Sequence, residues 1–212
     1  MTDRRELLAR SRLYFITDLG ADTGAVLGAA LDGGVDMVQL RDKHASDEQL
    51  LEAAVLFRGL CDAHGALFWL NDRPDLALHA GADGVHVGQD DQPVGSVREQ
   101  VGPDVLVGLS THTPAQLERA LDAGVDEISV GPVYETPTKE GRPAAGLGYV
   151  RHAADTAGDR PWFAIGGIDL GNVDEVARAG ARRIAVVRVL RDAPDPAAAA
   201  AALRARLEGV PA

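Results

Sequence analysis

A chain of 212 residues, 46% apolar and 25% charged, is long enough to bury a core and has the balance of a globular protein. Its net charge of −11 argues against non-specific binding to nucleic acid or an anionic membrane, so an anionic ligand must be held by a local group of cations. No apolar run approaches the ~18 residues of a membrane span, the opening stretch MTDRRELLARS has no apolar signal core, and the single Cys61 excludes a disulfide framework or a cysteine metal cluster. The expected compartment is the cytoplasm.

Taken in order, Arg4–Arg10 reads as a short N-terminal helix and Leu13–Thr17 as a first strand. A helix-end signal, Gly-x-Asp followed by an apolar strand, then recurs: Gly34-Val-Asp36 before MVQL, Gly81-Ala-Asp83 before GVHV and Gly124-Val-Asp126 before EISV. A fourth copy, Gly180-Ala-Arg182 before RIAVV, has Arg in place of Asp. Glycine there is a left-handed helix stop, and an acidic residue suits the short turn that follows. The spacings of 47, 43 and 56 residues fit two βα units each. Intervening strands fall where that requires, at Leu67–Asn71, Leu106–Ser110 and Trp162–Ile165.

The helices between them carry start signals. Ser46-Asp-Glu-Gln49 is a capping box, and Thr113-Pro114-Ala-Gln116 supplies a cap and a first-turn proline. The segment Ala197–Leu207 reads as the last helix. Eight βα units in one chain without a linker predict a single-domain parallel (β/α)8 TIM barrel with a short N-terminal helix; a doubly wound open sheet is the alternative.

Barrels place their chemistry at the carboxyl ends of the strands. The second strand ends Gln39-Leu-Arg41-Asp-Lys43, and period-two alternation puts Gln39, Arg41 and Lys43 on one face. The third ends Asn71-Asp72 and the fourth His86-Val-Gly88-Gln-Asp90-Asp91, so that Asp72 and Asp91 form a candidate pair of hard oxygen ligands for Mg²⁺. His86 reads as a satisfied structural histidine. Ser110, at the end of the fifth strand, is a candidate phosphate donor. The long stretch Gly131–Gly148 holds Thr136, Thr138, Lys139 and Arg142 among glycines and prolines, the composition of an anion-binding loop. Gly166-Gly167 precedes a helix near Asn172 and suits a phosphate, with Val187-Arg188 beside it. Trp69 and Trp162 read as packing residues. Two anion sites, one with a metal pair, suggest a diphosphate at one and a monophosphate at the other.

LYFITD, GGVDMVQLRDK, LNDRPDLALHAGADGVHVGQDD, GLSTHT, VGPVYETPTKEGRPAAGLG and AIGGI occur in this order. With them the chain resembles the thiamin phosphate synthase (thiamin-phosphate pyrophosphorylase) family over nearly its whole length. The resemblance implies the same barrel and a Mg²⁺-dependent transferase. It would join 4-amino-5-hydroxymethyl-2-methylpyrimidine diphosphate to 4-methyl-5-(2-hydroxyethyl)thiazole phosphate, releasing diphosphate by a dissociative route. It further implies that Gln39, Leu40, Arg41, Asp42, Lys43 and Asn71 bind the pyrimidine diphosphate, and that Ser110 and Lys139 bind its diphosphate. Asp72 and Asp91 would hold the metal; Thr136, Pro137, Thr138, Gly167, Val187 and Arg188 would hold the thiazole phosphate. Arg41, Lys43, Ser110 and Lys139 are the expected catalytic set. The family commonly has Ser where this chain has Arg188. Other readings of the same frame are a thiazole tautomerase-like sister barrel, which needs an acid–base residue and no metal pair, and a non-catalytic barrel for a phosphorylated ligand. The expected partners are the two small substrates, with no nucleic acid and no membrane, and a homo-oligomer is compatible with these features.

Overall fold

Alternation of short apolar strands with helices closes the sheet on itself in the computed structural model, which describes residues 3–136 and 143–208. After helix α1 (Arg4–Arg10), the strands are β1 (Leu13–Thr17), β2 (Met37–Leu40), β3 (Leu67–Asn71), β4 (Gly84–Val87), β5 (Leu106–Thr111), β6 (Glu127–Val130), β7 (Trp162–Ile165) and β8 (Ile184–Val186). They are parallel and form a closed barrel in chain order. Closure rests on β1 pairing with β8 through Leu13↔Ile184, Tyr14↔Ala185 and Phe15↔Val186, which excludes the open sheet. Around it lie α2 (Thr23–Asp32), α3 (Asp47–His64), α4 (Pro74–Ala77), α5 (Val94–Val101), α6 (Pro114–Asp122), α7 (Gly146–Thr156), α8 (Val173–Arg178) and α10 (Pro196–Glu208). A single turn, α9 (Arg188–Arg191), follows β8.

Strand alternation sorts the core into two layers. Tyr14, Ile16, Met37, Leu67, Trp69, Leu106, Phe163 and Ala185 fill the barrel, and Leu8 of α1 joins them. The outward residues, such as Phe15, Val38, Phe68, Val107 and Ile128, pack with the helices. Of the nine aromatics, Tyr14, Trp69 and Phe163 lie inside the barrel, where Tyr14 meets Phe163 edge-on at 5.5 Å. The Trp69 ring needs space that only glycine leaves, since a Cβ on Gly84 would approach it to 2.6 Å.

The helix signals hold. Ser46 accepts from the Gln49 N–H while the Gln49 side chain takes the Ser46 N–H. Thr113 caps α6 by accepting from the Gln116 N–H, with Pro114 in the first turn. Gly34, Gly81, Gly124 and Gly180 all have positive φ, as the repeated helix stop requires. The three aspartates that follow turn inward on the barrel's amino-terminal end. There Asp36 accepts from the Arg12 and Leu13 N–H groups, Asp83 from Phe68 N–H and Asp126 from Val107 N–H. Arginines from helices cap them: Arg204 on Asp36, Arg4 and Arg58 on Asp83, Arg5 and Arg98 on Asp126. This end is thereby fixed, and the opposite end is left for chemistry.

Candidate active site at the barrel mouth

The end of β2 delivers its side chains as alternation requires. Gln39 is buried inside the barrel, where its Nε2–H donates to the Tyr14 hydroxyl at 2.6 Å. Arg41 continues the inward parity, anchored by its N–H to the Thr17 carbonyl at 2.8 Å. Its guanidinium makes no hydrogen bond or ion pair with another described residue. Lys43 reaches the rim, with Nζ 3.8 Å from Asp72. The two residues between these have other tasks. Leu40 is fully buried in the outer layer, so only its main chain is available to a ligand. The Asp42 carboxylate accepts from the N–H groups of His44, Ala45 and Leu19, which ties the loop after β2 to the loop after β1. The His44 N–H is the chief cause holding its pKa below the usual carboxylate range.

Asn71 ends β3, and Asp72 follows at φ +57, a left-handed conformation uncommon for any residue but glycine, asparagine or aspartate. The turn is held by the Asp72 N–H on the His86 carbonyl at 2.8 Å, and it brings Asp72 against Asp91. Burial first, then the Asp91 charge and a hydrogen bond between the two carboxyls, raise the Asp72 pKa. Asp91 is folded back over Gly88, whose N–H it accepts at 2.7 Å; a Cβ on Gly88 would lie 2.8 Å from that carboxylate. Two carboxyls forced together at a rim lined by cations form a donor set that fits a divalent cation, since such an ion offsets both the burial and the repulsion that raise Asp72. Among the described residues no cluster of three or more His, Cys, Asp or Glu could hold a metal. The protein's share would be this pair, with ligand phosphates supplying the rest.

Across the mouth a cavity of about 290 Å³ is bordered by Ser110, Thr136, Gly166, Gly167, Val187 and Arg188, among others. Its floor depends on the double glycine. Gly166 and Gly167 have φ of +104 and +66, and a Cβ on either would strike the loop after β6, at Pro132 or at Tyr134. That contact is sealed by Val133 N–H to Ile165 carbonyl at 2.8 Å and Tyr134 N–H to Gly166 carbonyl at 3.0 Å. Arg188 is exposed and opens α9, and the nearby Asp192 pairs with Arg191 at 2.9 Å. Pro137, Thr138, Lys139 and Arg142 lie outside the described residues.

A buried constellation behind Ser110 escaped the sequence reading. His86, Gly108 and Glu127 lie in one row across β4, β5 and β6. Because residue 108 has no side chain, His86 and Glu127 meet across it: His86 Nδ1–H donates to the Glu127 carboxylate at 2.8 Å. A Cβ at 108 would come within 2.5 Å of that nitrogen. His86 Nε2 shares a 3.0 Å hydrogen bond with Ser110 Oγ, and the Ser129 hydroxyl donates to Glu127 at 2.9 Å. Glu127 is wholly buried, so its charge needs these partners. With burial leading, that charge also raises the Tyr14 pKa. Gln89 donates to the Ser110 carbonyl at 2.8 Å and holds the strand end from above. The histidine is satisfied, as expected, but it is satisfied as a strut under a mouth residue.

A family model described as thiamine monophosphate synthase matches residues 13–190. The chain belongs to that family. Among curated relatives, a thiamine-phosphate synthase of Acidothermus cellulolyticus is 54% identical over 204 residues, spanning 94% of this chain and 96% of the relative. One from Thermus thermophilus is 58% identical over 181 residues, spanning 85% and 87%. Among solved structures, a thiamine phosphate pyrophosphorylase from Pyrococcus furiosus superposes with a TM-score of 0.88 at 30% identity, covering 97% of this chain and 100% of its own. Membership of the thiamine monophosphate synthase family places the chain among the enzymes of thiamine biosynthesis. No helix among the described residues is long and apolar enough to cross a membrane.

Proposed function

We propose that the barrel mouth joins 4-amino-5-hydroxymethyl-2-methylpyrimidine diphosphate to 4-methyl-5-(2-hydroxyethyl)thiazole phosphate, giving thiamin phosphate and diphosphate. The observation that carries this reading is the convergence of Lys43 on Asp72, and of Asp72 on Asp91, at the end of the barrel that also holds the cavity over Gly166-Gly167. A diphosphate suits the first place and a monophosphate the second.

In the reaction, the C–O bond between the pyrimidine methylene carbon and the diphosphate breaks, and its electron pair leaves with the diphosphate. The amino-pyrimidine ring delocalises the positive charge left on the carbon. The lone pair of the thiazole nitrogen then forms the C–N bond, and no proton has to move. The protein's task is positioning and electrostatics. Arg41 and Lys43, with Lys139 from the long loop, grip the departing diphosphate. Ser110, braced by His86 and Glu127, hydrogen-bonds to it, while Gln39 and Asn71 orient the pyrimidine. Asp72 and Asp91 would hold Mg²⁺, which when bound supplies positive charge against the charge gathering on the leaving group. Thr136, Pro137, Thr138, Gly167, Val187 and the Arg188 main chain seat the thiazole phosphate. The carboxyl pair favours this synthase over a tautomerase, whose chemistry has no use for it.

The test is to incubate the protein with both substrates, with and without Mg²⁺, and to separate the products chromatographically. Thiamin phosphate forming only in the complete mixture is expected. Its absence there, or isomerisation of a thiazole substrate alone, would refute the proposal.

A further inference from the structure

At the amino-terminal end of the barrel, Asp36, Asp83 and Asp126 each bind arginines, while the fourth repeat puts Arg182 at the position of those carboxylates. Arg182 borders a polar cavity of about 630 Å³, formed where the end of α1 meets α7 and the start of β7 and β8, with Arg10, Arg12 and Arg183 also on its wall. Among the described residues, the side chains of Arg10, Arg12 and Arg182 have no hydrogen-bond or ion-pair partner. Arg183 donates only to main-chain carbonyls, those of Ser11 at 3.1 Å and Ala9 at 2.6 Å. Burial and the charges of Arg12 and Arg182 hold its pKa below the usual arginine range. The one acidic residue on this wall is Asp159, against four arginines. A general surplus of cations does not explain this, because the protein carries 32 acidic residues against 21 basic ones.

We propose that this cavity binds a small polyphosphate anion, two or more linked phosphoryl groups, where the fourth carboxylate is missing. Guanidinium forks match phosphoryl oxygens in paired hydrogen bonds, and several such forks around one concavity suit a ligand with several anionic groups. A single carboxylate or monophosphate would leave most of that charge unanswered and most of the volume unfilled. The cavity lies at the opposite end of the barrel from the mouth, so the ligand does not compete with the substrates.

Isothermal titration calorimetry with inorganic phosphate, diphosphate and triphosphate tests this, using an Arg41→Ala/Lys43→Ala protein to weaken binding at the mouth. Triphosphate is expected to bind with one site, at least tenfold tighter than phosphate, and Arg182→Asp added to that protein should weaken it at least tenfold. In the otherwise wild-type chain, Arg182→Asp should leave the family reaction unchanged and raise Tm in anion-free buffer by about 2 °C or more, since it restores the carboxylate of the other repeats. Arg182→Gln, which removes the cation without adding an acid, carries the binding test if the Asp variant fails to fold. Equal affinity for the three anions, or triphosphate binding untouched by both substitutions, would overturn the proposal. So would binding that appears only with an acidic polypeptide as probe.

Discussion

Glu127→Gln isolates the strut beneath Ser110. The amide keeps the shape of the carboxylate and can still accept from the Ser129 hydroxyl, now 2.9 Å away. With its one oxygen on Ser129, the amide turns its NH2 toward His86 Nδ1, so the 2.8 Å bond becomes neutral and reverses direction, with His86 accepting there and its Nε2–H donating to Ser110. Hydrogen bonds to charged groups contribute about 1.5–3 kcal/mol and neutral ones about 0.5–1.5, so the loss is about 1 kcal/mol. That is a fall of about 2–4 °C in Tm for a chain of this size and about fivefold in kcat/KM. Ser110→Ala, which removes the group proposed to hydrogen-bond to the diphosphate, should cost more, about 10- to 150-fold. The decisive assay is the double-mutant cycle. If Glu127 acts through His86 on Ser110, then Glu127→Gln in the Ser110→Ala background should change kcat/KM by less than about twofold. Independent, multiplicative losses would refute the chain from Glu127 to Ser110, even with all variants folded.

Asp72→Asn and Asp91→Asn should each lower kcat by at least ~100-fold while leaving Tm near the wild-type value, and each should shift the Mg²⁺ dependence of turnover to higher concentration. Arg188→Ser should raise the KM for thiazole phosphate by less than about fivefold, because the side chain is exposed; a rise of twentyfold or more would make it a ligand. The Asp42 carboxylate has a folded pKa below its unfolded value near 3.9, so its contribution to stability is complete above that value and is lost as pH falls through the lowered one. Asp42→Ala should therefore lower Tm at pH 7 and converge with the wild type in acid, as read by thermal unfolding across pH 2–7.

The barrel was legible because its signals are local. A helix stop at Gly34 or Gly124 and the strand after it lie within a few residues, and inward parity follows from alternation alone, which is how Gln39, Arg41 and Lys43 came to share one face. Asp72 and Asp91 could be read as a pair because both end neighbouring strands. Glu127 escaped, although alternation would have turned it and Ser129 inward, against Ile128 and Val130 outward. Its partner lies two strands away, and their contact depends on an absent side chain at Gly108, a feature of register rather than of sequence pattern. At Leu40 and Asp42 alternation already turned the side chains away from the mouth, and what the sequence could not show is that Asp42 ties the loop after β2 to the loop after β1. For Arg182 the break in the repeat was visible, whereas the cavity it leaves needed the packing of α1 against β7 and β8.

The most direct test of the central claim is a time course measuring thiamin phosphate and diphosphate in the same samples, with each substrate omitted in turn. The account predicts equal amounts of the two products at every time, their formation requiring both substrates and falling steeply in Asp72→Asn and Asp91→Asn. Thiamin phosphate formed without matching diphosphate, or formed undiminished by both substitutions, would contradict it.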